Sequence, residues 1–162
     1  MDNIKIGETE STTQIIQGSD KVVDHFVQFM QNAQRRIDVC VDNTRPLLSM
    51  EFKQIRDAFI DAKRRGVTTR YITEITKNNV RYCKELMSIV DELRHLDGIK
   101  GNFSVTEQEY VSAYSFHEGS GFSEWMIYSN FKDIVEHQQY VFDSFWNTSI
   151  SAERKTTETM LV

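Results

Sequence analysis

The chain of 162 residues has one proline, Pro46, and seven glycines. That scarcity excludes collagen-like, proline-rich and glycine-rich linker classes. It also argues against turn-heavy all-β folds, which need more chain punctuation. Cysteine is scarce as well, with Cys40 and Cys83 and no CxxC pair. Neither a redox pair nor a zinc knuckle is suggested, and two buried free thiols are expected. No apolar run is long enough to span a bilayer, and the first 30 residues hold no signal-type apolar segment. A cytoplasmic chain with no membrane partner is the expectation. Long basic runs are missing too. Arg35-Arg36 and Lys63-Arg64-Arg65 are the longest, and the net charge is −5, split as +1 over residues 1–80 and −6 over 81–162. A chain of this balance is expected to have no nucleic-acid partner.

What is present is a 40% hydrophobic, 27% charged composition, typical of one globular domain. Residues 1–11 are polar and expected to be frayed. Ile15-Ile16 marks a short strand over 12–17. Val22, Val23, Phe26, Phe29, Met30 and Ala33 recur at helical spacing over 20–34. The β-branched run 37–41 reads as a buried strand, and 42–46 as a loop. Phe52, Ile55, Phe59 and Ala62 form a helical stripe that Gly66 is placed to cap. A strand follows over 67–75. Val80, Cys83, Met87 and Val90, with Leu86 and Leu93 beside them, predict one further helix. Strands are expected at 103–105, 110–116 and 125–128, and a final helix carries Phe131 to Trp146. The alternation predicts an α/β three-layer sandwich, with a mostly parallel or mixed sheet flanked by helices. The expected organisation is a domain over 12–147 and a polar tail over 148–162, where a linker to an output module starts.

In an open α/β sheet, ligands bind beyond the carboxyl ends of the strands. Three loops are read as leaving those ends. They hold Asp42, Thr44 and Arg45; Glu74, Lys77 and Asn78; and Ser129 and Asn130. Each loop feeds a helix start, where unpaired N–H groups favour anions. These residues, with His117, are the candidate site for a small polar or anionic ligand. His25, His95 and His137 read as packing, capping and surface residues. No catalytic residue, metal site or cofactor is indicated: HExxH, the P-loop, GxGxxG and GxSxG are all absent.

The α/β order, His117 and the strand-to-helix segment Trp125-Met-Ile-Tyr-Ser129-Asn130 resemble a phospholipase-D-like half. That family's catalysis needs His-x-Lys-x4-Asp. Two places after the four histidines stand Val27, Asp97, Gly119 and Gln139. The expectation is therefore a non-enzymatic version of the fold. The segments Arg36-Ile-Asp-Val-Cys-Val-Asp42, Thr44-Arg-Pro46, Arg70-Tyr-Ile-Thr-Glu-Ile-Thr-Lys77, Tyr82-Cys-Lys-Glu-Leu86 and Val90-Asp-Glu-Leu-Arg-His-Leu-Asp-Gly-Ile-Lys-Gly-Asn102 point further. With 127–130 and 134–142, they resemble the amino-terminal sensor region of archaeal sensor histidine kinases. This resemblance covers roughly residues 10–150. It implies a signal-input domain of a two-component system, lacking the kinase core, that partners an output kinase module in cis or trans and pairs as a homodimer. The alternatives are a divergent phosphodiesterase or nuclease using His117, and a dimerisation module.

Overall fold

The run Ile37-Asp-Val-Cys40 is almost wholly buried, and it sits at the centre of the sheet. The computed structural model describes residues 10–115 and 123–161. In chain order the elements are β1 (Thr13–Gln17), α1 (Ser19–Asn32), β2 (Arg36–Cys40), α2 (Arg45–Glu51), α3 (Lys53–Arg64), β3 (Thr68–Thr73), α4 (Val80–Leu86), β4 (Glu92–His95), β5 (Asn102–Thr106), β6 (Tyr110–Tyr114), β7 (Trp125–Ser129), α5 (Lys132–Thr148), β8 (Ile150–Ser151) and α6 (Ala152–Met160). The sheet order is β1-β7-β6-β5-β2-β3-β4-β8.

β2, β3 and β4 run parallel, whereas β5 lies antiparallel to β2. β6 is antiparallel to β5, and β7 to β6. It follows that β6 runs with β2 and β7 runs against it. Alternation along the strands then divides two cores. Ile37, Val39 and Tyr71 face a core shared with Phe29, Met30 and Phe59 of α1 and α3. Cys40 and Ile72 face the opposite core, with Val135, Phe142 and Trp146 of α5. The expected helix–sheet–helix layering is observed.

Several element boundaries differ from the sequence reading. Pro46 opens α2 instead of closing a loop, because its fixed φ and missing N–H suit a first helical turn. The helix expected from Val80 to Leu93 ends at Leu86, and Glu92–His95 is a strand paired with β3. Val90 and Leu93 continue the helical spacing, but Asp91 anchors this stretch to β3. Its N–H donates to the Thr69 carbonyl at 3.0 Å, and its Oδ2 accepts from the Thr69 N–H at 2.7 Å. Gly66 has φ +83°, as a helix-terminating position requires. Residues 150–160 form β8 and α6. β8 pairs with β4, and Ala152 is fully buried. No helix among the described residues is long and apolar enough to cross a membrane.

Candidate functional site

The strand directions decide which candidate residues meet. Asp42, Thr44 and Arg45 follow β2, while Glu74, Lys77 and Asn78 follow β3. Both loops leave the same sheet edge because β2 and β3 are parallel. Ser129 and Asn130 do not join them. Ser129 pairs with Tyr110 and Thr13, at the end where β2 begins. The expectation that all three loops share one edge is thus corrected, since the β5–β6 hairpin leaves β7 running against β2. His117 lies outside the described residues.

Asp42 organises the shared edge. Its Oδ1 accepts from the Thr44 backbone N–H at 2.9 Å and the Thr44 hydroxyl at 2.6 Å. Its Oδ2 accepts from Asn102 Nδ2 at 2.9 Å, and its own N–H donates to Asn102 Oδ1 at 2.9 Å. Burial alone would raise the Asp42 pKa. The bonds from Thr44 and Asn102, with the Arg45 charge nearby, more than offset this and hold it below the ordinary carboxylate value. Burial lowers the Arg45 pKa, with Asp42 opposing the shift. The guanidinium remains a cation.

Asn79 ties the two loops together. It is buried, its Oδ1 accepts from the Thr76 N–H at 2.8 Å, and its Nδ2 donates to the carbonyls of Glu74 and Asn43 at 2.8 and 2.9 Å. Glu74 turns its own carboxylate outward, where Oε2 accepts from the Gly98 N–H at 3.3 Å. Asn102 and Asn79 are the two members that sequence reasoning missed. Asn102 begins β5, sixty residues beyond Asp42, and no local pattern links the two.

Beside this edge runs a groove between α4 and α6, bordered by Lys77, Arg81 and Lys84 together with Met160. The three cations lie four and three residues apart and so share one side of α4 and its leading turn. Among the described residues none of the three has an ion-pair partner. Lys53, Arg65, Arg70, Arg94, Lys132 and Arg154 are each paired with a carboxylate. At the opposite edge, Ser129 Oγ hydrogen-bonds Thr13 Oγ1 at 2.9 Å, and Asn130 Oδ1 accepts from the Thr12 N–H at 2.7 Å. Both residues fasten β1 to the sheet. Among the described residues, no cluster of three or more His, Cys, Asp or Glu side chains is arranged to hold a metal ion.

No protein-family model matches the chain, and no curated protein matches it. Solved structures do. Nuc, a phospholipase D family member from Salmonella typhimurium, is similar at TM-score 0.68 and 15% identity, over 88% of this chain and 98% of that one. NucT from Helicobacter pylori is similar at TM-score 0.69 and 8% identity, over 88% and 99%. TrmBL2, an archaeal chromatin protein described as having a novel mode of DNA binding, is similar at TM-score 0.64 and 17% identity. That match covers 93% of this chain, which spans 57% of the TrmBL2 chain. Two expectations are corrected by these likenesses. The reading of a non-enzyme rested on the missing His-x-Lys-x4-Asp, yet the fold is shared almost end to end with a member of an enzyme family. The reading of no nucleic-acid partner rested on net charge, yet the same fold occurs in a DNA-binding chromatin protein. The histidine-kinase resemblance is left resting on the sequence segments alone. The fold of this chain is α/β and phospholipase-D-like.

Proposed function

We propose that this chain is a divergent phospholipase-D-type domain directed at the phosphodiester backbone of nucleic acid. The observation that carries the reading is the groove of Lys77, Arg81 and Lys84, three cations without carboxylate partners among the described residues, beside the edge organised by Asp42 and Asn102. Phosphate contacts depend on local cation placement more than on net charge, because each neutralised phosphate releases a counterion. The likeness to TrmBL2, Nuc and NucT supports nucleic acid as the polymer.

Fluorescence anisotropy with labelled single- and double-stranded oligonucleotides tests this. Three phosphate contacts on duplex DNA predict binding about 40-fold weaker at about 200 mM salt than at about 50 mM. The triple variant Lys77→Gln/Arg81→Gln/Lys84→Gln is expected to lose both the affinity and most of that salt dependence. Salt-independent binding, or a triple variant that binds as the parent does, would overturn the proposal. The same oligonucleotides, analysed for cleavage, show whether phosphodiester hydrolysis accompanies binding. Hydrolysis lost in His117→Ala would assign the nucleophile.

A further inference from the structure

Between the β5–β6 hairpin, the end of β7 and the start of α5 lies an open groove of about 470 Å³. Its lining includes Glu107, Glu109, Tyr128, Lys132, Val135 and Glu136. Three carboxyl groups border it against one cation, and that cation is engaged, since Lys132 Nζ lies 3.7 Å from Glu136 Oε1. Glu107 is engaged too, by the backbone N–H groups of Gln34, Arg35 and Arg36. The groove stands at the end of the sheet where β2 begins, away from Lys77, Arg81 and Lys84.

Glu109 is the member whose bonding is incomplete. It is 8% exposed. Its Oε1 accepts from Asn32 Nδ2 and from the Tyr128 hydroxyl, each at 3.1 Å. Its Oε2 is buried and has no hydrogen-bond partner among the described residues. A buried acceptor left without a donor is unfavourable. Burial raises the Glu109 pKa, and the nearby Glu107 charge adds to the rise. A donor that also carries positive charge relieves both the missing bond and the acidic lining. Only one oxygen is open, so a compact ammonium matches it better than a guanidinium fork, which takes both oxygens of a carboxylate. Among the described residues no three carboxylates are arranged to hold a metal ion. The Tyr128 ring and Val135 supply an apolar wall for an alkyl stem.

We propose that this groove binds a small aliphatic amine, its ammonium donating to Glu109 Oε2 and its alkyl stem lying against Tyr128 and Val135. This inference does not rest on nucleic-acid binding, since it uses the opposite end of the sheet from the α4–α6 groove. It has a pH signature. An alkylammonium stays charged across the working range, and it pairs with the ionised carboxylate. Affinity therefore rises as pH rises through the raised Glu109 value, and binding within that window releases a proton.

Isothermal titration calorimetry with n-butylammonium tests it, alongside tetramethylammonium, which has the charge without N–H donors, and 1-butanol, which has the stem without the charge. Butylammonium is expected to bind, with each control at least about tenfold weaker, the scale of one hydrogen bond to a charged group. Glu109→Gln is expected to lose at least about tenfold in affinity. Circular dichroism is expected to show its fold unchanged, because the glutamine oxygen still accepts from Asn32 and Tyr128. Titrations of the parent from about pH 4.5 to about pH 8 need no variant, and affinity is expected to rise across them. The Lys77→Gln/Arg81→Gln/Lys84→Gln variant is expected to bind butylammonium as the parent does, which separates this proposal from the previous one. Equal binding of either control, undiminished binding by Glu109→Gln, pH-independent affinity, or no response to butylammonium would each overturn it.

Discussion

Glu107 and Glu109, two residues apart in one hairpin, are driven in opposite directions by their surroundings. The Glu107 carboxylate accepts from the backbone N–H groups of Gln34, Arg35 and Arg36 at 2.6, 3.3 and 3.2 Å. Burial opposes ionisation, but these bonds prevail and lower its pKa. Glu109 is more deeply buried. Desolvation raises its pKa despite bonds from Asn32 and Tyr128, each at 3.1 Å. Linkage gives opposite pH signatures. Glu107 contributes stability above the ordinary carboxylate range, and this is lost as pH falls through its lowered value. Glu109 is most compatible with the fold below that range, and its contribution falls as pH rises through its raised value. Urea unfolding across pH 3 to 8 is expected to show Glu109→Gln gaining on the parent as pH rises and Glu107→Gln losing ground. Parallel profiles would refute the assignment. Asn78 and Asn79 make the same point about adjacent identical side chains. Replacing buried Asn79 with alanine strands the Thr76 N–H and two carbonyls, an expected loss of about 1–3 kcal/mol. Asn78→Ala is exposed and expected to change stability by less than about 0.5 kcal/mol. The sequence marked this loop as a candidate and took Asn78 for the site, since nothing local tells two neighbouring asparagines apart.

At the scale of elements, α5 is fixed to the sheet by a polar cluster as well as by packing. Arg70 of β3 donates through Nε and Nη2 to the two oxygens of Asp38 at 2.8 and 2.7 Å, and through Nη2 to Asp143 at 3.1 Å. Its guanidinium lies 5.0 Å from both the Phe142 and Trp146 ring centroids. Asp38 is fully buried, and Arg36 Nε at 3.1 Å and Gln139 Nε2 at 2.8 Å also reach its Oδ2, so removing Arg70 leaves a desolvated carboxylate with only part of its compensation. Arg70→Ala is expected to cost about 1.5–3 kcal/mol, the scale of a lost hydrogen bond to a charged group, whereas Asp38→Val combined with Arg70→Met is expected to cost less. Chemical unfolding followed by tryptophan fluorescence measures both, and equal losses would count against the buried-charge account. The amphipathic pattern of α5 was legible in the sequence, but its polar anchor was not. Asp38 lies in an apolar run and resembles an isolated exception until β3 places Arg70 directly across from it. β4 was hidden for a related reason. Val90 and Leu93 fit a helical period, and only pairing with β3 reveals the extended backbone.

The whole molecule closes its sheet with the last residues. Ile150 and Ser151 pair with His95 and Arg94, and α6 then packs Ala152 and Thr156 inward. Truncation after Ser149 removes this cover from the β4 edge. Scanning calorimetry is expected to show a melting temperature lowered by about 4–8 °C, the scale of about 2 kcal/mol for a chain of this size. The shortened chain is also expected to aggregate more readily, because β4 becomes a bare edge. An unchanged melting temperature would show α6 to be dispensable. The sequence by itself determined the alternation of strands and helices apart from β4, β8 and α6, together with the layering and the two parallel βα loops. Hydrophobic period and cap residues are local properties, and they survive without knowledge of the fold. Only the tertiary structure decided that Ser129 and Asn130 stand at the far edge and that Asn102 joins Asp42. Those outcomes depend on the direction of each strand in the sheet, and the β5–β6 hairpin sets that direction through pairing between residues distant in the chain.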